Sequence, residues 1–202
     1  KHDRLKQQVI AANVDILVIV AAAACPPFRP GLVDRFLITA QQGGVTPLLC
    51  LNKIDLVEHE PPEMEFYREL DLDICIASCE TGEGIEVLRQ KLAGKTSVLA
   101  GHSGVGKSSL LNRLDPNLRV VTRELSETTK RGRHTTTTSV LYELQEGIRI
   151  IDTPGIRALE VWNVSPEEVA FYFPEIAACG MRCKFRNCTH IHETECAVKQ
   201  AV

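Results

Sequence analysis

The chain has 202 residues, 44% of them hydrophobic and 24% charged, with a formal net charge of −3. That is apolar material for one full α/β core plus a small second module, with too little basic excess for charge alone to announce a nucleic-acid-binding face. No internal repeat, low-complexity tract, signal-peptide pattern or membrane-length apolar run is present, so a cytoplasmic protein is expected, with its eight cysteines reduced or metal-bound.

In chain order, Ile16–Val20 is the first predicted strand and Val45–Leu51 the second. The apolar run of the second predicts a buried parallel strand. Asn52-Lys53-Ile54-Asp55 follows directly, and open α/β sheets bind ligands at the C-terminal ends of their strands. A carboxylate at Asp55 can accept from both N1–H and the exocyclic amine of guanine. Adenine offers neither donor in that arrangement, and a carboxylate left unpaired in this way gives discrimination on the order of 10⁴-fold. Asn52 is expected to support the base edge and its loop, with the Lys53 stem along the ring. Pro61-Pro62 opens a predicted helix with acidic first-turn residues. Ile74–Ala77 is a third short strand, at whose end Ser78 and its neighbouring backbone would close over the base, and Gly82–Leu92 reads as a helix.

Thr96–Ala100 is the next predicted strand. It runs into Gly101-His102-Ser103-Gly104-Val105-Gly106-Lys107-Ser108, a G-x-x-x-x-G-K-[ST] pattern with Ser109 next to it, and then into the helical pattern Ser108–Leu114. This strand, loop and helix setting is the context that gives the pattern its meaning. The glycines let backbone N–H groups face phosphate oxygens, and the helix N-terminus adds positive potential at the same point. Lys107 is predicted to reach the β- and γ-phosphates, and the Ser108 hydroxyl to ligate Mg²⁺.

Downstream, a charged stretch poor in core residues from Arg123 leads to Arg131-Gly132-Arg133-His134 and the hydroxyl run Thr135–Thr138. The pattern predicts a switch that orders on γ-phosphate and Mg²⁺. Thr136 or Thr137 would complete the metal shell, and the run also suits an edge strand continuing into Ser139–Leu144. Arg149–Asp152 is a strand ending in an acid expected to hold Mg²⁺ through water, and the Gly155 N–H would sense the γ-phosphate. A domain boundary is placed after the stretch from Ile156 to Val164, ahead of a short helical pattern at Pro166–Tyr172.

Three cysteines and a histidine then fall close together in a polar stretch, as Cys183, Cys188, His190 and Cys196. Thiolates plus imidazole suit a closed tetrahedral Zn²⁺ site that supplies folding energy to a module too polar to build a core. His192 competes with His190 as the fourth ligand. Cys25, Cys50, Cys75, Cys79 and Cys179 show no ligand spacing and are expected to be packing or incidental.

The base tetrad precedes the phosphate loop, the reverse of the order in an ordinary small GTPase, which predicts a circularly permuted P-loop GTPase of the α/β class. With G-H-S-G-V-G-K-S-S-L, G-R-H-T-T-T, D-T-P-G-I and the terminal cysteine cluster, the chain resembles the bacterial circularly permuted ribosome small subunit-dependent GTPase A family over nearly its whole length. The resemblance implies a GTP-hydrolysing factor of late 30S subunit maturation, weak alone and stimulated by the subunit, with GTP/GDP, the 30S subunit and 16S rRNA as partners. It favours His190 as the zinc ligand. It also implies an OB domain, a permuted GTPase domain and a zinc domain. Here residues 1–160 would be the GTPase domain and 161–202 a partial zinc domain. The OB domain is expected to be absent, because Lys1 lies close to the first GTPase strand. A monomer with no membrane attachment is expected.

Ile156 stands where Ras-like enzymes carry the glutamine that orients the attacking water. His134, beside the switch threonines, is the candidate to replace it, a role the resemblance supports over simple packing. Gly104 stands where potassium-activated GTPases carry asparagine, so that activation is not predicted. Arg182, Lys184 and Arg186 around Phe185, and Lys130, Arg131 and Arg133 in the switch, are candidate RNA contacts. The reading of a different class is an RNA-binding zinc module whose nucleotide site is a gate without turnover.

Overall fold

The computed structural model of the chain describes residues 13–118, 140–152 and 166–201. The chain divides into two compact units, Lys1–Leu159 and Glu160–Val202. In the first, β1 (Ile16–Ala22), β2 (Thr46–Asn52), β3 (Asp73–Ile76), β4 (Thr96–Ala100), β5 (Val140–Glu143) and β6 (Arg149–Asp152) form one sheet in the order β3-β2-β1-β4-β6-β5. All neighbours pair parallel except β5, which runs antiparallel to β6 at the edge. Val18 lies opposite Leu48 on one side and Leu99 on the other, so β1 is the central strand through which the two halves of the sheet join. The chain builds outward from β1 to β3 and then returns to the far side of β1 for β4. This reversal places a topological switch point between β1 and β4, where α/β sheets open a ligand crevice.

Side chains alternate across the strands, and each face is covered by helices. On one face Val18, Val20, Leu48, Cys50, Leu99 and Ile150 meet α3 (Ile85–Leu92) and α4 (Lys107–Leu114) through Leu88, Leu92, Leu110 and Leu111. On the other, Leu17, Ile19, Leu49, Leu51 and Val98 meet α1 (Pro30–Gly43) and α2 (Met64–Glu69) through Val33, Phe36, Met64 and Tyr67. Burial of each such side chain contributes about 1.5–3 kcal/mol. Cys50 and Cys75 pair in register across β2 and β3 and are buried, as packing residues. The Tyr67 hydroxyl, buried among these groups, donates to Asp34 Oδ1 at 2.7 Å. Burial and that carboxylate together raise its pKa far above the ordinary phenol value.

The strands start within a residue or so of the sequence expectation, whereas helix starts are displaced. The stretch expected to be helical from Pro61 begins as turns, with Met64 N–H donating to Pro61 O at 2.9 Å, and α2 follows from Met64. The helix expected from Gly82 begins at Ile85, because Gly82 and Gly84 both have positive φ. α4 starts one residue earlier than expected, at Lys107. α1 was not anticipated. Its signals are Pro30 in the first turn and a left-handed Gly44 whose N–H closes on Ala40 and Gln41 carbonyls.

In the second unit, α5 (Pro166–Val169) passes into a 3-10 turn at Ala170–Tyr172, and α6 (Pro174–Gly180) and α7 (Ala197–Ala201) flank an irregular loop. Among the described residues of this unit only Cys196 is fully buried.

Candidate nucleotide and metal sites

The parallel strands deliver their C-terminal ends to one edge of the sheet: Asn52 ends β2, Ala77-Ser78 follow β3, Gly101 follows β4 and Asp152 ends β6. The predicted tetrad, base loop, phosphate loop and acid therefore converge although they are dispersed along the chain. His134, Thr136, Thr137, Gly155 and Ile156 lie outside the described residues.

Asn52 is 1% exposed and acts chiefly between loops. Its Nδ2 donates to the Val105 carbonyl at 2.9 Å, and its Oδ1 accepts from the Cys79 N–H at 3.3 Å. One buried amide thus ties the phosphate loop to the loop after β3. The closeness of this contact dictates Gly106: a Cβ there would lie 2.2 Å from Asn52 Nδ2, and φ is +98°. Gly101 is dictated in the same way, since its Cβ would meet the Val20 carbonyl at 2.2 Å, so the loop enters flush against β1.

Asp55 stands in a 3-10 turn, Ile54–Leu56, entered through Lys53 in left-handed backbone. The Lys53 ammonium donates to the Cys25 carbonyl, which anchors its stem beside the loop after β1. Asp55 is exposed, and its Oδ1 accepts from the Ser78 hydroxyl at 2.5 Å. Ser78 is completely buried, and its Oγ in turn accepts from the Glu80 and Thr81 N–H groups, both at 3.1 Å. Ser78 therefore orients the carboxylate, a role distinct from direct contact with a base. Sequence reasoning missed the part played by the Cys79 backbone, because it depends on a partner from another strand end. Burial pushes the Cys79 thiol up to about 11, so it is a packing group.

In the phosphate loop the Lys107 ammonium donates to the carbonyls of Gly101 at 2.7 Å and His102 at 3.0 Å, placing the charge over the loop. His102 Nδ1 lies 2.8 Å from the Ser103 carbonyl, and Gly104 has φ +86°. Val105 is 4% exposed, so its side chain belongs to the core and only its backbone is available to a ligand. Ser108 and Ser109 stand in the first turn of α4, and Asp152 is half-buried at the end of β6, the neighbour of β4.

In the second unit Cys183, Cys188, His190 and Cys196 bring one ligand atom each to within 4.8 Å of one another. Cys183 Sγ is 3.9 Å from Cys196 Sγ, and His190 Nδ1 is 3.7 and 3.3 Å from these two sulfurs. A tetrahedral thiolate site with metal–sulfur bonds of about 2.3 Å has edges of about 3.8 Å, so the spacing fits such an ion. The fourth ligand atom of this cluster comes from His190, and the backbone N–H of His192 donates to Glu193 Oε2 at 3.2 Å. His190 has φ +62°, and its ring packs beside Gly180, where a Cβ would lie 3.5 Å from it. Burial opposes ionisation of Cys183, but N–H groups of Val198 and Ala197 and the thiols of Cys188 and Cys196 donate to it and hold it below the ordinary thiol value. Burial pushes Cys188 up to about 11, against a hydrogen bond from the His190 N–H. Glu193 braces the loop by accepting from the Thr189 N–H at 2.8 Å and from the His192 N–H at 3.2 Å, which hold its carboxyl down to about 2.

A doubly covered sheet with a phosphate loop after β4 and a base tetrad after β2 is the fold of a P-loop GTPase with its motifs in circularly permuted order. Residues 1–162 match the RsgA GTPase family, and the chain belongs to that family. It is 44% identical over 199 residues to a Chlorobaculum parvum protein named small ribosomal subunit biogenesis GTPase RsgA, covering 98% of this chain and 64% of that one. A Bacillus cereus protein of the same name is 41% identical over 196 residues, covering 95% and 67%. The chain thus spans about two thirds of the length of these relatives. Among solved structures, YjeQ from Thermotoga maritima superposes with a TM-score of 0.71 at 36% identity, covering 94% of this chain and 64% of that one. YloQ, described as a circularly permuted GTPase, gives 0.66 at 35%, covering 94% and 61%.

Gly106→Ala tests the contact between the loops. The added methyl must displace the Asn52 amide or the loop, so affinity for GDP is expected to fall by about tenfold or more, with a backbone cost of about 1–3 kcal/mol in urea unfolding. Titration calorimetry showing unchanged affinity would refute the packing argument.

Proposed function

We propose that the chain is the GTP-binding and GTP-hydrolysing portion of a factor acting in late maturation of the small ribosomal subunit, with turnover stimulated by that subunit. The observation that carries this reading is the convergence of the Ser78-oriented Asp55 carboxylate and the phosphate loop on one sheet edge, in a chain whose relatives are named for small-subunit biogenesis. Residues 1–160 would be the GTPase domain and 161–202 part of a zinc domain. The 30S subunit and its 16S rRNA would be the partners of a monomeric, cytoplasmic protein. Among the described residues no helix is long and apolar enough to cross a membrane.

In this reading Asp55 accepts from the guanine N1–H and amine, while Asn52, Lys53 and Ser78 hold its loop in place. Backbone N–H groups from Gly101 to Ser109 receive the phosphates, and Lys107 reaches the β- and γ-oxygens. Ser108, Asp152 and Thr136 or Thr137 offer the hard oxygen donors that suit Mg²⁺. When bound, that ion neutralises charge developing on the phosphates. The Gly155 N–H senses the γ-phosphate. His134 orients or accepts from the attacking water, which the aliphatic Ile156 cannot do. Cys183, Cys188, His190 and Cys196 would hold one structural Zn²⁺, for which their soft donors and near-tetrahedral spacing are suited.

Specificity is tested by calorimetric titration with GDP, ADP and XDP. GDP should bind far more tightly than ADP, and Asp55→Asn should lose that preference and gain affinity for XDP, because an amide can donate where the carboxylate only accepted. Equal GDP and ADP affinity in the unmodified chain would sink the guanine assignment.

For catalysis, His134→Ala should leave GTP affinity near normal and depress single-turnover hydrolysis in the presence of 30S subunits. A loss of about 10²-fold corresponds to about 2.7 kcal/mol of transition-state stabilisation. Near-normal turnover would eliminate the role of His134, and equal phosphate release with and without subunits would eliminate the stimulation.

Native mass spectrometry should find one zinc per chain, and Cys196→Ser should lose it and loosen the second unit while GDP binding persists. A metal-free chain with oxidised thiols would overturn the zinc assignment.

A further inference from the structure

We infer that Arg113 is a positioning residue for guanine recognition, acting from the back of the base loop through the Ser78 hydroxyl on the Asp55 carboxylate. The inference rests on the guanine-nucleotide reading of the site and adds to it a residue outside all of the sequence motifs.

Arg113 lies near the end of α4, the helix that begins in the phosphate loop. Its neighbours Leu110, Leu111 and Leu114 are buried, so the helix is a fixed platform. From it the guanidinium donates to two successive carbonyls of the base loop, Nε to Cys79 O at 2.5 Å and Nη2 to Glu80 O at 2.8 Å. These carbonyls share their peptide planes with the N–H groups of Glu80 and Thr81. A trans peptide directs its C=O and N–H to opposite sides, so fixing both carbonyls toward α4 fixes both N–H groups toward the interior of the loop. There the two N–H groups donate to Ser78 Oγ. A hydroxyl oxygen that accepts twice has its own proton left to donate, and it donates to Asp55 Oδ1. The chain of hydrogen bonds runs from a cation through two aligned amides and a buried hydroxyl to the carboxylate, each link polarising the next.

The planar fork of arginine suits this geometry, because two donors at fixed separation meet two successive carbonyls, which the point charge of a lysine cannot reproduce. Arg113 also joins the phosphate side of the site to the base side by a route separate from Asn52, whose Oδ1 accepts from the Cys79 N–H.

The test compares GDP with IDP, which lacks the 2-amino group and so makes only one of the two hydrogen bonds to Asp55. Calorimetric titrations are made on the full chain and on Arg113→Ala, Arg113→Lys, Ser78→Ala and the Arg113→Ala/Ser78→Ala double variant, with ADP as control and thermal unfolding run in parallel. Arg113→Ala should raise the Kd for GDP by about tenfold, on the scale of one lost charge-assisted hydrogen bond. It should weaken IDP less, so that the GDP/IDP ratio narrows. Arg113→Lys should not restore the ratio, and Arg113→Ala should leave it unmoved once Ser78 is already Ala. If Arg113→Ala does not fold, Arg113→Gln, which keeps one planar donor and the helix, carries the same comparison. An unchanged ratio, whether both affinities hold or fall together, would overturn the positioning role, as would a ratio that still shifts in the Ser78→Ala background. Failure of the guanine reading is a separate result, seen as equal GDP and ADP binding by the unmodified chain.

Discussion

The side-chain amide of Asn52, buried where the ends of three strands meet, is the interaction on which the geometry of the site depends. It gives a donor to the phosphate loop and an acceptor to the base loop, so neither loop can shift without leaving a buried polar group unpaired, at a cost of about 1–3 kcal/mol. The glycine at position 106 follows from that bond, because only a residue without a side chain leaves room for the amide. Lys53 and Asp55 inherit their placement from it as well, being the next residues along a backbone that has just left β2. The two halves of the site are thereby tied at a fixed spacing by the protein's own hydrogen bonds.

The permuted order of the motifs is compatible with this geometry because a sheet is specified by neighbours and not by sequence. β1 pairs with β2 on one side and β4 on the other, and every parallel strand presents its C-terminal end to the same edge. What the ligand meets is a set of strand ends, and their connection order does not enter into the contacts. The order does decide which segments become termini. Here the phosphate-loop strand is an interior element, covered on both faces and paired on both edges.

The second unit has a different physical basis. Its loop from Cys183 to Cys196 is polar and nearly devoid of buried side chains, so apolar burial cannot hold it. Three sulfurs and an imidazole nitrogen gathered within 4.8 Å of one another, with helix N–H groups donating to the thiols and Glu193 bracing the turn, form a framework suited to a metal in place of a core.

Much of this was legible in the sequence because the signals are local. The apolar runs predicted the strands, the Gly101–Ser108 pattern predicted the phosphate loop, and the cysteine spacing predicted three members of the cluster, with His190 favoured over His192 by the family resemblance. The place of Asp55 just beyond the end of β2 could be read from the apolar run that precedes it. Helix starts were less legible: α2 and α3 wait for turns and left-handed glycines to finish, and α1 carries its signal in one proline and one glycine. Tertiary structure alone decided the partners. That Asn52 binds two loops, that Ser78 turns its proton to Asp55, and that Arg113 reaches the carbonyls of Cys79 and Glu80 are contacts between residues distant in the chain. Such contacts depend on strand order and helix placement, which arise only when the two faces of the sheet are packed, so no local pattern encodes them.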